Sequence, residues 1–296
     1  MTNTARTRRI GDVEVSAIGL GGMPMSIEGR PDRDRSIRTI HAALDAGITF
    51  IDTADAYNRD ANETGHNEEL IAEALRTYGA DTSHVLVATK GGLIRPGDGT
   101  WRRNGDPAHL KEAAKASAKR LGVEAIGLYQ FHRADPKVAY ADSVGALAEL
   151  LDEGVIRMAG ISNAETVMID TAQEVLGGRL VSVQNQFSPR HATSVAYNEL
   201  KHTVRQGLAF LPWSPLGGIS SAAALGSRHA AFQEIADAHG VSPQRVTLAW
   251  LLALDEHIIP IPGASRPETI TDSAGAMELD LSADEMQRLS AAAGIA

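Results

Sequence analysis

Eight short apolar runs punctuate the chain, centred near residues 18, 50, 87, 128, 158, 183, 210 and 259. Nearly every neighbouring pair is separated by one amphipathic helical stretch, such as the one carrying Ile37, Ile40 and Leu44. Strict alternation of strand and helix leaves parallel pairing as the economical arrangement, because each helix returns the chain to the same end of the sheet. Runs that are apolar throughout, such as Val85-Leu86-Val87-Ala88, belong in a sheet covered on both faces. Eight such units fit a closed (β/α)8 barrel, the TIM barrel of the α/β class, better than an open sheet. Ahead of them, Arg8-Arg9-Ile10 and Val13-Glu14-Val15 flank Gly11-Asp12 and read as a two-residue β-hairpin, expected to close the barrel bottom. No linker, repeat or low-complexity stretch interrupts the 296 residues, so residues 1–296 are expected to form a single domain.

Charge and composition exclude several classes of function. With 28 basic and 37 acidic residues, the net charge is 28 − 37 = −9. An acidic chain has no electrostatic footprint for nucleic acid or an anionic membrane surface. No apolar run reaches the roughly 18 residues of a membrane span. Met1 to Arg9 is polar and basic without an apolar core, unlike a secretory leader. The absence of cysteine removes disulfides, thiolate metal sites and thiol nucleophiles, and fits a cytoplasmic protein. No HxH or HExxH spacing occurs, so no metal is expected. Gly21-Gly22-Met23-Pro24 has a proline where a dinucleotide fingerprint needs its last glycine, and reads as tight turns beside a cleft.

Catalytic groups of such barrels lie at the C-terminal ends of the strands. Three runs end in chemistry: Phe50-Ile51 in Asp52, Val85–Thr89 in Lys90, and Ile126–Phe131 in His132, with Tyr57 just beyond the first. A buried carboxylate needs a cationic partner, and Lys90 supplies one. A tyrosine is a poor acid at neutral pH, but a nearby ammonium favours the phenolate. The four groups therefore suit proton donation to an alkoxide forming from a carbonyl. No side chain supplies a hydride, so a cofactor must. Asp55 reads as a loop cap. Of the ten histidines, His41, His84, His109, His239 and His257 read as structural or solvated.

Seven segments, in order and each at a strand end, resemble the aldo-keto reductase family over almost the whole chain, as in its bacterial members. They are FIDTADAY at Phe50–Tyr57, ATKGG at Ala88–Gly92, LYQFHRAD at Leu128–Asp135, GISN at Gly160–Asn163, VQNQFSP at Val183–Pro189, LPWSPLGG at Leu211–Gly218 and IPIPGASRPE at Ile259–Glu268. The resemblance implies that Asp52, Tyr57, Lys90 and His132 are a catalytic tetrad with Tyr57 the general acid. It implies NADPH as cofactor and a small aldehyde or ketone as substrate. An alternative on the same scaffold is a nicotinamide-sensing binding module with little turnover, as potassium-channel β subunits resemble this family.

The resemblance also implies the cofactor contacts. Ser162, Asn163 and Gln184, beside Asp52, would hold the nicotinamide carboxamide, and Phe187 would stack on its ring. Gly22, Met23 and Gly263 would line the same groove. Trp213, Ser214, Pro215, Leu216 and Gly218 would surround the pyrophosphate. Ser265, Arg266 and Asp272 would lie near the adenosine. Ser265-x-x-Glu268 reads as a capping box opening a helix, with Arg266 placed for a ribose phosphate. Asn67 reads as a helix cap, and the loop Leu93–Asn104 over the mouth, with Arg95, Trp101, Arg102 and Arg103, reads as either a solvated loop or a substrate lid.

Overall fold

The computed structural model describes residues 6–218, 222, 225–228 and 230–295; residues 1–5 of the stretch read as unlike a secretory leader lie outside them. Strands β1 (Thr7–Ile10) and β2 (Val13–Ser16) pair antiparallel around Gly11-Asp12. Gly11 has φ +58°, the left-handed value that a two-residue turn demands and glycine adopts without a steric penalty. Ile10 and Val15 then pack with Phe50, Leu86, Leu128 and Met158 inside the barrel, so the hairpin closes its N-terminal end.

The barrel strands follow as β3 (Leu20–Gly21), β4 (Phe50–Asp52) and β5 (Leu86–Gly91). A small hairpin, β6 (Leu93–Ile94) with β7 (Arg102–Arg103), comes next. The barrel resumes with β8 (Ile126–Phe131), β9 (Ile156–Ser162), β10 (Leu180–Gln184) and β11 (Ala209–Phe210). Among the described residues, seven strands pair in the order β11-β10-β9-β8-β5-β4-β3, parallel throughout. The eighth position is filled by Ile258–Gly263, which bridges Phe210 on one side and Gly21 on the other. Ile259 and Ile261 donate to Phe210 and Pro212, while the carbonyls of Pro260 and Pro262 accept from Gly19 and Gly21. The prolines have no N–H to return to β3, so this edge closes through isolated bridges rather than a continuous ladder. Strand β3 is two residues long, although the apolar run from Val15 to Leu20 reads as one strand, because Val15 and Ser16 pair with Arg8 and Thr7 in the hairpin.

Helices cover the barrel in sequence order: α1 (Arg33–Asp45), α2 (His66–Thr77), α3 (Pro107–Leu121), α4 (Tyr140–Asp152), α5 (Thr166–Val175) and α6 (Ser194–Arg205). They continue with α7 (Leu225–Arg228), α8 (Ala230–His239), α9 (Pro243–Leu254), α10 (Pro267–Ala274) and α11 (Ala283–Ala293). Their apolar faces meet the sheet in two outer layers, one built around Trp250 and Phe210, the other around Leu147 and Tyr129. Two helix starts differ from the sequence reading. Helix α2 begins after Gly65 at φ +87°, and Asn67 lies inside it, its amide spent on Gly22 O, Ser26 Oγ and Thr53 Oγ1. Helix α10 is capped by Arg266 without a side-chain bond, so Ser265 and Glu268 form no capping box; that motif is realised at Ser282 and Glu285. No helix among the described residues is long and apolar enough to cross a membrane.

Candidate active site

The parallel register brings the strand ends to one level. Asp52 pairs with Ala88, Lys90 with Gln130, and Gln130 with Gly160. Lys90 is wholly buried and Asp52 nearly so. The Lys90 ammonium donates to Asp52 Oδ2 at 2.7 Å, to the Thr53 carbonyl at 2.8 Å and to the Tyr57 hydroxyl oxygen at 3.1 Å. Its three donors are thereby all used. The other oxygen of Asp52 accepts from Gln184 Nε2 at 2.8 Å and Gln130 Nε2 at 3.2 Å. Gln130 was missed in the sequence, yet it was legible as an amide in an otherwise apolar strand. It fits because residue 160 is glycine: a Cβ there would lie 3.0 Å from Gln130 Cγ and 2.4 Å from Ser182 Oγ.

The His132 ring stands edge-on to the Tyr57 ring, with centroids 5.8 Å apart. Its Nδ1 is buried without a partner. Burial, then the charges of Lys90 and Arg133, hold its pKa well below the ordinary value, so the ring is neutral at pH 7. Burial raises the Tyr57 pKa; Lys90 opposes this and Asp52 reinforces it, with a net upward result. The expected downward shift toward working pH is therefore not found in the free site, because desolvation of the phenolate outweighs the ammonium. Desolvation also acts against the Lys90 ammonium, but Asp52 and Tyr57 outweigh it and the lysine stays charged. Asp55, behind this group, is buried with Oδ1 unpaired. Burial, and then Glu68, push its carboxyl well above the usual range. It is a buried acid that also accepts from the Ala56 amide within its loop.

Tyr57 and His132 open onto a cavity of about 540 Å³. Of the residues expected at the cofactor, Met23, Asp52, Ser162, Asn163, Gln184, Trp213, Ser214, Pro215, Leu216, Gly218 and Gly263 line it. Ser162 Oγ donates to Gln184 O at 2.8 Å, and Asn163 Nδ2 donates to Ser162 Oγ at 3.0 Å and to His132 O at 3.1 Å. Asn163 and Ser214 both hold left-handed backbones, at φ 56° and 50°. Such conformations in non-glycine residues cluster at ligand-binding sites.

Five expected residues do not line the cavity. Phe187 is sealed in the outer core against Tyr197, Phe210 and Trp250. On this side of the barrel the aromatic that faces the cavity, which Tyr57 and Trp101 also line, is Trp213, whose Nε1 is buried without a partner among the described residues. Gly22 turns toward Asn67, whose Oδ1 lies 2.4 Å from where a Cβ would sit. The Asp272 carboxylate is engaged by Arg245 at 2.9 Å and by Ser242. Ser265 and Arg266 lie just past Gly263, at the start of α10 and outside the cavity wall. The covering loop contributes Leu93, Trp101 and Arg103 to the lining, and Trp101 lies edge-on to Tyr57 at 6.4 Å. Among the described residues there is no group of three or more His, Asp or Glu that could hold a metal.

Residues 17–293 match the model of the aldo/keto reductase family. The chain is 32% identical over 272 residues to 6-dehydroglucose reductase of Novosphingobium aromaticivorans, covering 90% of this chain and 88% of that one. Its fold is similar to that of a glycerol dehydrogenase from Gluconobacter oxydans, with TM-score 0.82, 25% identity, and 98% and 95% of the two chains covered. It is also similar to an aldo-keto reductase from Klebsiella pneumoniae solved in complex with NADPH, with TM-score 0.80, 24% identity and coverage of 97% and 95%. The chain belongs to the aldo/keto reductase family.

Proposed function

We propose that this member of the family works as a single domain, an NADPH-dependent reductase of aldehydes and ketones, with Tyr57 the proton donor. The observation that carries the reading is the unused proton of Tyr57. Its oxygen accepts from Lys90, and the tyrosine lines the cavity beside a neutral His132. A hydroxyl whose oxygen accepts still has one O–H to give.

The residues present fit a nicotinamide dinucleotide. Asn163 Oδ1 and Gln184 Oε1 offer acceptors on the cavity wall, their amide protons being held by His132, Ser162, Asp52 and Gln130, while Trp213 gives an aromatic wall and Gly263 a narrow cradle, where a Cβ would meet Pro24 at 2.8 Å. Ser214–Gly218 follows the seventh barrel strand, where barrels commonly hold phosphate. NADPH bound there supplies the hydride. Tyr57 then gives its proton to the carbonyl oxygen, so that hydride and proton together make the alcohol. Lys90 stabilises the tyrosinate left behind, and Asp52 keeps Lys90 charged. His132, neutral, donates its one N–H to the same oxygen. The lack of cysteine suits work in a reducing cytosol.

The test is NADPH oxidation, followed by absorbance, over a panel of neutral aldehydes and ketones. Enzyme-dependent oxidation is expected on several. Tight NADPH binding without oxidation of any panel member would overturn the catalytic reading in favour of a nicotinamide sensor.

A further inference from the structure

Among the described residues, the charged side chains lining the cavity are Asp52, Arg103 and Arg133. Asp52 is neutralised by Lys90. Two guanidinium groups are left over, in a chain whose net charge is −9. The covering loop shows why Arg103 is unusual. Its neighbours are spent: Arg95 is ion-paired with Glu28 and lies over the Trp101 ring at 4.5 Å, and Arg102 is ion-paired with Asp98 at 2.5 Å. Among the described residues Arg103 has no carboxylate within 4 Å; Nη1 donates to the Ala134 carbonyl at 3.2 Å. Asp135 lies beyond that distance: its carboxylate accepts from the backbone amides of Lys137 and Gly105, which hold its pKa low, and the charges of Lys137 and Arg103 add to this at longer range. Arg133, one residue beyond His132, donates Nη2 to Asn163 Oδ1 at 2.7 Å and likewise meets no carboxylate within 4 Å among the described residues. Burial, and then the Arg103 charge, lower the Arg133 pKa. Two like charges held together at a cavity mouth gain from an anion between them, and the planar guanidinium fork matches carboxylate and phosphate oxygens.

We propose that Arg103 and Arg133 form an anion subsite, and that the substrate proper is a carbonyl compound bearing a carboxylate or phosphate. The subsite is separate from the expected cofactor phosphates. Arg103 and Arg133 follow the third and fourth barrel strands, whereas Ser214–Gly218 and Arg266 follow the seventh and eighth. Trp101 supplies the apolar wall between the reacting carbonyl at Tyr57 and the charged end. The substrate class rests on the reductase reading above; the subsite itself does not.

Two matched pairs test it: 4-oxobutanoate against butanal for a carboxylate, and glyceraldehyde 3-phosphate against glyceraldehyde for a phosphate. At least one anionic partner is expected to exceed its neutral analogue tenfold or more in kcat/KM, and which pair does so identifies the anion. Arg103→Met should cut that ratio by roughly tenfold, the loss of one charge-assisted contact, and Arg103→Lys should restore part of it. Binding of 4-carboxybenzyl alcohol against benzyl alcohol, by calorimetry, reads the subsite without turnover. Ratios near one in both kinetic pairs, with neutral aldehydes reduced, would overturn the subsite and leave the reductase standing. Anion preference in binding, with no turnover of any aldehyde, would do the reverse.

Discussion

Lys90 donates to the Tyr57 oxygen at 3.1 Å while its other two protons are held by Asp52 and the Thr53 carbonyl. The lysine cannot rotate away without leaving a buried carboxylate unpaired, a loss of roughly 3–5 kcal/mol in comparable sites. The phenol oxygen is therefore fixed as an acceptor, and its proton is aimed elsewhere. Burial keeps that proton on the tyrosine at neutral pH, as a donor requires.

Removing the phenol oxygen tests this arrangement. Tyr57→Phe deletes the transferable proton and little volume. Turnover should fall by at least the 10²–10⁴-fold typical of a general acid. NADPH affinity, measured by fluorescence titration, should stay within about twofold. Turnover near that of the parent protein would end the assignment.

Phe187 and Trp213 should separate into two kinds of defect. Phe187 is buried among Tyr197, Phe210 and Trp250, so Phe187→Ala should cost roughly 3–5 kcal/mol of stability. The cofactor affinity of the folded protein should barely move. Trp213 lines the cavity, so Trp213→Ala should weaken NADPH binding about tenfold, in keeping with aromatic contacts of roughly a kcal/mol or more. Denaturant titration and cofactor titration on both variants check the split. A reversed pattern would restore Phe187 as the cofactor platform.

Asp55 sets a pH dependence of stability. Its folded-state pKa lies well above the ordinary value of 3.8, so between those two values the folded chain holds a proton that the unfolded chain releases. Stability contributed by this group is present below about pH 4 and is lost as pH rises toward the raised value, by at most about 1.4 kcal/mol per pH unit. Asp55→Asn cannot ionise and lacks this slope. Its thermal midpoint should gain on the parent's as pH rises from 5 to 8. A constant difference across that range would mean that Asp55 is ionised in the fold.

The strand ends were legible because apolar runs that stop at Asp52, Lys90 and His132 put ionisable groups at one end of a parallel sheet, and Tyr57 just beyond them favours chemistry over a structural ion pair. Side-chain direction past a strand end was not. Phe187 comes three residues after Gln184, and an aromatic there reads the same whether it enters the cavity or the helix layer. The neighbouring ladder decides, through the bridge from Gln186 to Trp213. Asn67 looked like a cap because an amide before an apolar run usually is one; the tertiary demand of the Gly22 carbonyl and Ser26 outweighed that local preference. The charge left on Arg103 and Arg133 was likewise invisible, since the sequence shows which charges exist but not which are paired.

Arg266 carries the last expectation, the choice of NADPH over NADH. The two differ by a phosphate on the adenosine ribose, a dianion that needs positive charge and donors. Arg266 caps α10 and is exposed, with no side-chain partner among the described residues. Pro267 occupies the first helical position, where its missing N–H costs nothing. The free amides and the partial positive charge of that helix start add to the guanidinium. Glu268 opposes the phosphate, and without a capping bond it is not drawn away from it. It is nevertheless exposed, so water screens its repulsion, while the arginine contact is direct. A hydrogen bond to a charged group contributes roughly 1.5–3 kcal/mol, which is roughly 10- to 150-fold in affinity. Arg266→Ala should weaken NADPH binding within that range and leave NADH binding almost as it was. Titration of both cofactors into both proteins decides it. Equal losses would mean that Arg266 touches what the two cofactors share, and that the phosphate is read elsewhere.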